Sequence, residues 1–355
     1  MASPISISVH KTPHSKIKGI DFSSLVFGKV VSDHMFVADY KDGKWGDFRI
    51  EPYGPMEIYP ANATLHYGQA IFEGMKAYKN VKGEVLVFRA EANARRLNES
   101  AKRMCMPQIP EEIFLEGLKK LLDLDRDWVP QEKGSSLYIR PFMFAMDNYI
   151  GVKPSETYRF MIFTCPVGAY YSKPVSVKVE TTYTRAVEGG TGEAKAAGNY
   201  AASLYPALLA QKEGYEQLLW TDGKSHTQIE ESGTMNVMFK INGKVITAPT
   251  TTGTILKGVT RDSVIQLAKD WGQAIEERFL TVAALQEALE KGTLEEAFGV
   301  GTAATIAFIE KIQIQGKDYL LPPYSSHSFS KKVLAALDGI KYGEISDPHS
   351  WIIKI

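Results

Sequence analysis

Lys195 lies in the run Gly189-Gly190-Thr191-Gly192-Glu193-Ala194-Lys195-Ala196-Ala197-Gly198-Asn199-Tyr200. A lysine amid small residues, leading into a helix-forming segment, is placed to form an imine with an aldehyde cofactor. Most lysines beside glycines are solvated loop residues, so the assignment needs further groups. Gly258-Val259-Thr260-Arg261-Asp262 reads as a helix start whose backbone N–H groups suit a phosphate. Phe298-Gly299-Val300-Gly301-Thr302-Ala303-Ala304-Thr305 reads as a second glycine-rich turn into a helix, so that two turns would clasp one phosphate. No Lys-Ser/Thr pair follows these glycines, which argues against a nucleotide P-loop. Ile229-Glu230-Glu231-Ser232-Gly233-Thr234-Met235-Asn236 sets adjacent acids before an apolar strand.

An aldehyde, a phosphate and a ring nitrogen kept protonated by a carboxylate together describe pyridoxal 5′-phosphate. Tyr138 and Arg140, two apart on a strand, share one face and suit a carboxylate-bearing substrate. Tyr67 and Phe72, in Leu65-His66-Tyr67-Gly68-Gln69-Ala70-Ile71-Phe72-Glu73-Gly74, read either as core or as pocket wall.

These groups need elements to hold them. Residues 35–40 and an Asp42-Gly43 turn predict a hairpin, as does Asn242-Gly243. Residues 84–88, 137–142, 159–163 and 177–184 read as strands. Helices are expected over 91–104, 199–212, 260–271 and 281–291; Pro206 should kink the second or end it early, and Gly214, Gly272 and Gly292 stop the last three. Strands and helices alternate without a regular βαβ period, so the fold class is α+β. The chain divides into a small N-terminal α/β domain over 1–168, a connection over 169–185 and a larger cofactor-binding domain over 186–355. Residues 1–30 carry no legible motif.

The 355 residues are enough for two domains. With 41 basic against 41 acidic residues, no nucleic-acid or anionic-membrane footprint dominates. Cys105 and Cys165 form neither CxxC nor a metal-ligand spacing, so no metal and a cytoplasmic, reduced protein are expected. The first residues have no apolar signal core and no arginine, and no stretch is long enough to span a membrane.

From about residue 35 to 340 the chain resembles the branched-chain-amino-acid aminotransferases, in the class IV (D-amino acid aminotransferase-like) group of pyridoxal phosphate enzymes. The resemblance rests on Leu65-His66-Tyr67-Gly68 with Phe72-Glu73-Gly74, Tyr138-Ile139-Arg140-Pro141, Lys195 with Gly198-Asn199-Tyr200, Glu231 with Gly233-Thr234-Met235-Asn236, Gly258-Val259-Thr260-Arg261, and Gly301-Thr302-Ala303, in family order. It implies the two-domain fold of that group and a reversible exchange of the amino group of L-leucine, L-isoleucine or L-valine with 2-oxoglutarate.

By the same resemblance Lys195 would hold the cofactor as an imine and then move the proton between Cα and C4′. Glu231 would pair with the ring nitrogen and Tyr200 with the phenolic oxygen. Arg96 would bind the phosphate with Gly258, Val259, Thr260 and Thr302, and Arg185, Thr234 and Leu256 would complete the cofactor site; Arg95 would be surface. Tyr67, Phe72, Tyr138 and Tyr170 would line the side-chain pocket. Arg140 would take the distal carboxylate of glutamate, and Thr302-Ala303 the α-carboxylate. Ile150 matches a loop position supplied by the partner subunit of a homodimer, or of an assembly of dimers, with shared active sites. A D-amino acid aminotransferase or an aminodeoxychorismate lyase of the same fold is the alternative. Some relatives carry a CxxC redox switch after the Gly-Thr-Ala turn; positions 304–307 here read Ala-Thr-Ile-Ala, so no thiol switch is expected there.

Overall fold

The computed structural model describes residues 5–168, 170, 171 and 173–355. Contacts divide the chain into two units. One comprises residues 1–170, 194–197 and 339–355; the other comprises 171–193 and 198–338. This is not the expected division. The strand Val175–Val179 belongs to the second unit, so 169–185 is no mere connection, and its positions 169 and 172 lie outside the described residues. Residues 339–355 join the first unit because Ile352–Lys354 pairs with Val85–Phe88.

In the first unit one sheet runs in the order Ser8–Val9, Lys44–Pro52, His34–Lys41, Tyr158–Val167, Ser136–Ala145, Met75–Lys79, Val85–Phe88 and Ile352–Lys354, with Ala70–Phe72 also pairing Ser136–Ala145. Ser136–Ala145 is largely buried along its length, the mark of a central strand covered on both faces. The helices Ala90–Arg103 and Glu111–Leu124 present Ala94, Leu97, Ala101, Phe114, Leu118 and Leu121 to the core that holds Phe36 and Phe160. Each such fully buried Leu or Phe contributes about 1.5–3 kcal/mol. The N-terminal segment has a structural part after all: Ser8–Val9 pairs with Arg49–Ile50, and Ile17, Ile20 and Phe22 pack on that core.

In the second unit the strands Met235–Ile241, Leu294–Gly301, Thr305–Ile314, Val175–Val179, Gln217–Thr221 and Gln228–Ser232 pair in that order, and the last pairs back with the first. The sheet thus closes on itself, filled by Val177, Leu219, Val237, Phe239, Ala297, Ile309 and Ile312. The closing seam pairs Glu231 with Asn236 and Ser232 with Met235. The helix Val282–Glu290 adds Leu285 and Ala288 to that apolar cluster, and the helix Val259–Asp270 packs on the strand Leu294–Gly301.

Both Gly-containing hairpins form, His34–Lys41 with Lys44–Pro52 and Met235–Ile241 with Lys244–Thr247. The helix Ala197–Lys212 runs through Pro206, so of the two outcomes expected there the early end does not occur. Two expectations fail. The strand expected over 177–184 ends at Val179. The turn at 298–305 opens no helix. It joins the antiparallel strands Leu294–Gly301 and Thr305–Ile314, because Thr305, Ile306 and Ile309 are β-branched and buried in a strand pattern.

Candidate active site

In the first unit, Lys195 is fixed through its backbone. Its N–H donates to Ser100 Oγ on the helix Ala90–Arg103 (3.0 Å), and its carbonyl accepts from Phe72 N (3.0 Å). Ala196 bridges Ile71. The Lys195 ammonium lies 4.8 Å from the Phe72 ring centroid. On either side of the lysine in sequence, Asn199 Nδ2 donates to the Thr191 carbonyl and Thr191 Oγ1 to Asn199 Oδ1, both at 2.7 Å.

Beside Lys195 stands a residue to which the sequence reading gave no role. Glu73 is fully buried and accepts from Arg96 Nε and Nη2, both at 2.8 Å, and from Asn93 Nδ2 at 2.7 Å. Burial works to raise its pKa. The Arg96 charge and hydrogen bonds, the Lys195 charge and Asn93 outweigh that and hold it below the ordinary carboxylate range. The fork of Arg96 is therefore oriented by Glu73, whereas Arg95 is exposed beside Glu111.

Tyr138 and Arg140 do share a face, and Arg140 Nη2 donates to Tyr138 Oη at 2.9 Å. The guanidinium lies 4.7 Å from the Phe72 ring centroid and 5.3 Å from that of Tyr138. A β-carbon on Gly74 would come 2.3 Å from Tyr138 Oη, so the glycine after Glu73 makes room for the phenol. Phe27, unread in the sequence, packs edge-on against Tyr138 (5.0 Å) and Tyr170 (5.1 Å). Its segment has no periodicity that would have marked it. Tyr67 ends a short helix and is 40% exposed, with His66 as its ring neighbour; Ile150 is 66% exposed.

In the second unit, Glu231 Oε1 accepts from Asn236 Nδ2 and Leu256 N, both at 3.0 Å. Glu231 Oε2 lies 2.9 Å from Arg185 Nε. That N–H is not aimed along the line, so the contact is an ion pair rather than a directed hydrogen bond. These donors stabilise the negative charge of the carboxylate.

Asn236 Nδ2 also donates to the Leu256 carbonyl, and a β-carbon on Gly258 would fall 2.0 Å from Asn236 Oδ1. Gly258 thus sets the helix Val259–Asp270 against the Glu231 seam, and it caps that helix without a side-chain hydrogen bond. On the other side of Met235–Ile241, away from the seam, Asn236 pairs with Val300, two residues before Thr302. The structure therefore brings Arg185, Glu231, Leu256 and the 258–260 turn into one network, with the 302–303 turn next along the sheet. Thr234 is exposed on the Gly233-Thr234 turn, and Tyr200 is half-buried on the helix Ala197–Lys212.

Each unit by itself holds groups of the kind that pyridoxal phosphate needs: the first an amine and an oriented arginine, the second an anionic carboxylate and a helix N-terminus without a side-chain cap. Among the described residues no group of His, Cys, Asp or Glu could hold a metal ion, and no helix is long and apolar enough to cross a membrane.

A profile of the amino-transferase class IV family matches residues 70–312. The chain is 46% identical to branched-chain-amino-acid aminotransferase 2 of Bacillus subtilis over 99% of its own length and 97% of that protein's. It belongs to the branched-chain group of the class IV aminotransferases. A branched-chain-amino-acid aminotransferase of Mycobacterium tuberculosis is 40% identical over 93% of this chain and 92% of its own. The crystal structure of the Escherichia coli branched-chain amino acid aminotransferase superposes with a TM-score of 0.72 at 26% identity, covering 90% of this chain and 98% of that one. The holo-form enzyme of Thermobaculum terrenum shares the fold, with a TM-score of 0.73 at 23% identity over 90% and 97%. This transaminase is pyridoxal-phosphate-dependent and has the α+β class IV fold.

Proposed function

We propose that the chain transfers the amino group of L-leucine, L-isoleucine or L-valine to 2-oxoglutarate, giving branched-chain 2-oxo acids and L-glutamate, with Lys195 as the catalytic base. The observation that carries this reading is the clamped Lys195 beside the Phe72–Tyr138–Arg140 cluster. That cluster offers apolar ring surface together with a guanidinium and a phenol. Leu, Ile and Val use the rings of Phe27, Phe72 and Tyr138. The second carboxylate of glutamate uses Arg140, whose Nε has no hydrogen-bond partner among the described residues.

Bound pyridoxal phosphate supplies an aldehyde that takes up the amino group and a ring that delocalises the electron pair left at Cα. The Lys195 amine removes the Cα proton and redelivers it. Glu231 keeps a proton on the ring nitrogen, and Asn236, Leu256 and Arg185 keep Glu231 in place. Tyr200 donates to the phenolic oxygen. Arg96, oriented by Glu73, takes the phosphate with Gly258, Val259, Thr260 and Thr302; Thr302 and Ala303 also take the substrate α-carboxylate. Thr234 and Tyr170 complete the cofactor and substrate walls.

A homodimer accounts for Tyr149, Ile150 and Val152, which stand exposed in one loop, and for Tyr67. Ile150 then reaches the partner's substrate. Two unpaired cysteines accord with a cytoplasmic location.

The test is the visible absorption of the purified protein before and after L-leucine. The lysine-linked cofactor band should give way to that of the aminated cofactor and return with 2-oxoglutarate. A band that ignores L-leucine and answers D-alanine, or release of pyruvate from aminodeoxychorismate, would replace this reading. Lys195→Ala should lose turnover by at least about a thousandfold while remaining folded by circular dichroism.

A further inference from the structure

The adjacent acid Glu230 has no part in the chemistry above, yet it is 3% exposed and its Oε2 has no hydrogen-bond partner among the described residues. A buried carboxylate with one oxygen left without a hydrogen bond is costly, so its retention asks for a reason. Neighbouring residues of a regular strand point to opposite faces. Here, however, Leu219 pairs with Ser232 and Thr221 with Ile229, so two steps on one strand oppose three on the other. Glu230 and Glu231 occupy that bulge, and both meet the segment 254–256.

Glu230 Oε1 accepts from Thr254 Oγ1 at 2.5 Å. The Thr254 carbonyl accepts from Arg185 Nη2, and Arg185 Nε faces Glu231 Oε2. A chain of contacts therefore runs from Glu230 through Thr254 and Arg185 to Glu231.

We propose that Glu230 is a positioning residue: by holding Thr254 it fixes Arg185, and Arg185 fixes the Glu231 carboxylate against the ring nitrogen of the cofactor. The electrostatics agree. Burial raises the Glu230 pKa, the Thr254 hydroxyl and Arg185 oppose that, and the charges of Glu231 and Asp222 reinforce it, with a net upward shift. Deletion of the Thr254 hydroxyl removes the one side-chain hydrogen bond that holds the Glu230 carboxylate among the described residues and loosens the carbonyl that holds Arg185.

The inference rests on the cofactor reading above, and its test separates the two. The protein is loaded with pyridoxal phosphate carrying 15N in the ring, and the ring-nitrogen chemical shift is read at fixed pH. Thr254→Val, nearly isosteric, should move that signal toward the unprotonated position and lower kcat about tenfold, with KM for L-leucine unchanged within about twofold. Glu230→Leu should do the same. Thr254→Ser and Glu230→Gln, which keep a donor and an acceptor, should hold the wild-type signal. If Glu230→Leu fails to fold, the two threonine variants decide alone. A wild-type signal in loaded Thr254→Val, or equal loss in Thr254→Val and Thr254→Ser, overturns the proposal. A wild-type protein that takes up no cofactor overturns the functional reading instead.

Discussion

At Glu73 a wholly buried carboxylate meets the Arg96 fork, so removing its charge leaves a guanidinium buried without its anion. Glu73→Gln should cost about 3–5 kcal/mol in urea unfolding and weaken cofactor uptake by the apoprotein. The sign with pH follows from the lowered pKa. The stabilisation is complete above the unfolded-chain value near 4.5 and is lost as pH falls through the folded value. Glu231→Gln should cut kcat sharply, since an amide cannot hold the ring nitrogen protonated; stopped-flow half-reactions with L-leucine would show it. At this scale the sequence told much about residues with a distinctive chemical partner two or three places away, as with Tyr138 and Arg140. It told little about Glu73 or Phe27. Their partners lie 23 and 111 residues away, at Arg96 and Tyr138, and neither belongs to a local pattern.

The link between Gln217–Thr221 and Gln228–Ser232 is organised by one carboxylate. Asp222 accepts from the backbone N–H groups of Ser225, Thr227 and Gln228 at 2.7–2.8 Å. Burial opposes its ionisation, but those amides prevail and bring its pKa to about 2. The link should therefore stay closed above pH 4 and open as pH falls from about 4 toward 2. Asp222→Asn should open it at neutral pH, read as faster hydrogen exchange at Thr227 and Gln228. Elements of this kind were legible where a turn has its own chemistry, as in the Asn242-Gly243 hairpin. The stretch 298–305 misled because glycines before a threonine look alike ahead of a helix or a strand. What decides is the β-branched run after the turn and its pairing with residues 298–301.

For the molecule as a whole, α+β class was readable from the irregular alternation of strands and helices. Closure of the second sheet was not, because it depends on parallel pairings of Val175–Val179 with strands some 40 and 135 residues later. The thiols give a prediction at this scale. Cys165 is buried and its pKa is pushed up by burial to about 11, and no CxxC follows the 301–303 turn. Mild peroxide should thus cause no large, reversible loss of activity; a loss restored by dithiothreitol would contradict this. The pairing of Ile352–Lys354 with Val85–Phe88 also has a meaning in time. A ribosome must make the entire second unit before it makes the strand that covers this edge of the first. Until then the first sheet waits with the buried run Val85–Phe88 bare at its border, a surface for which a chaperone or a neighbouring nascent chain can compete.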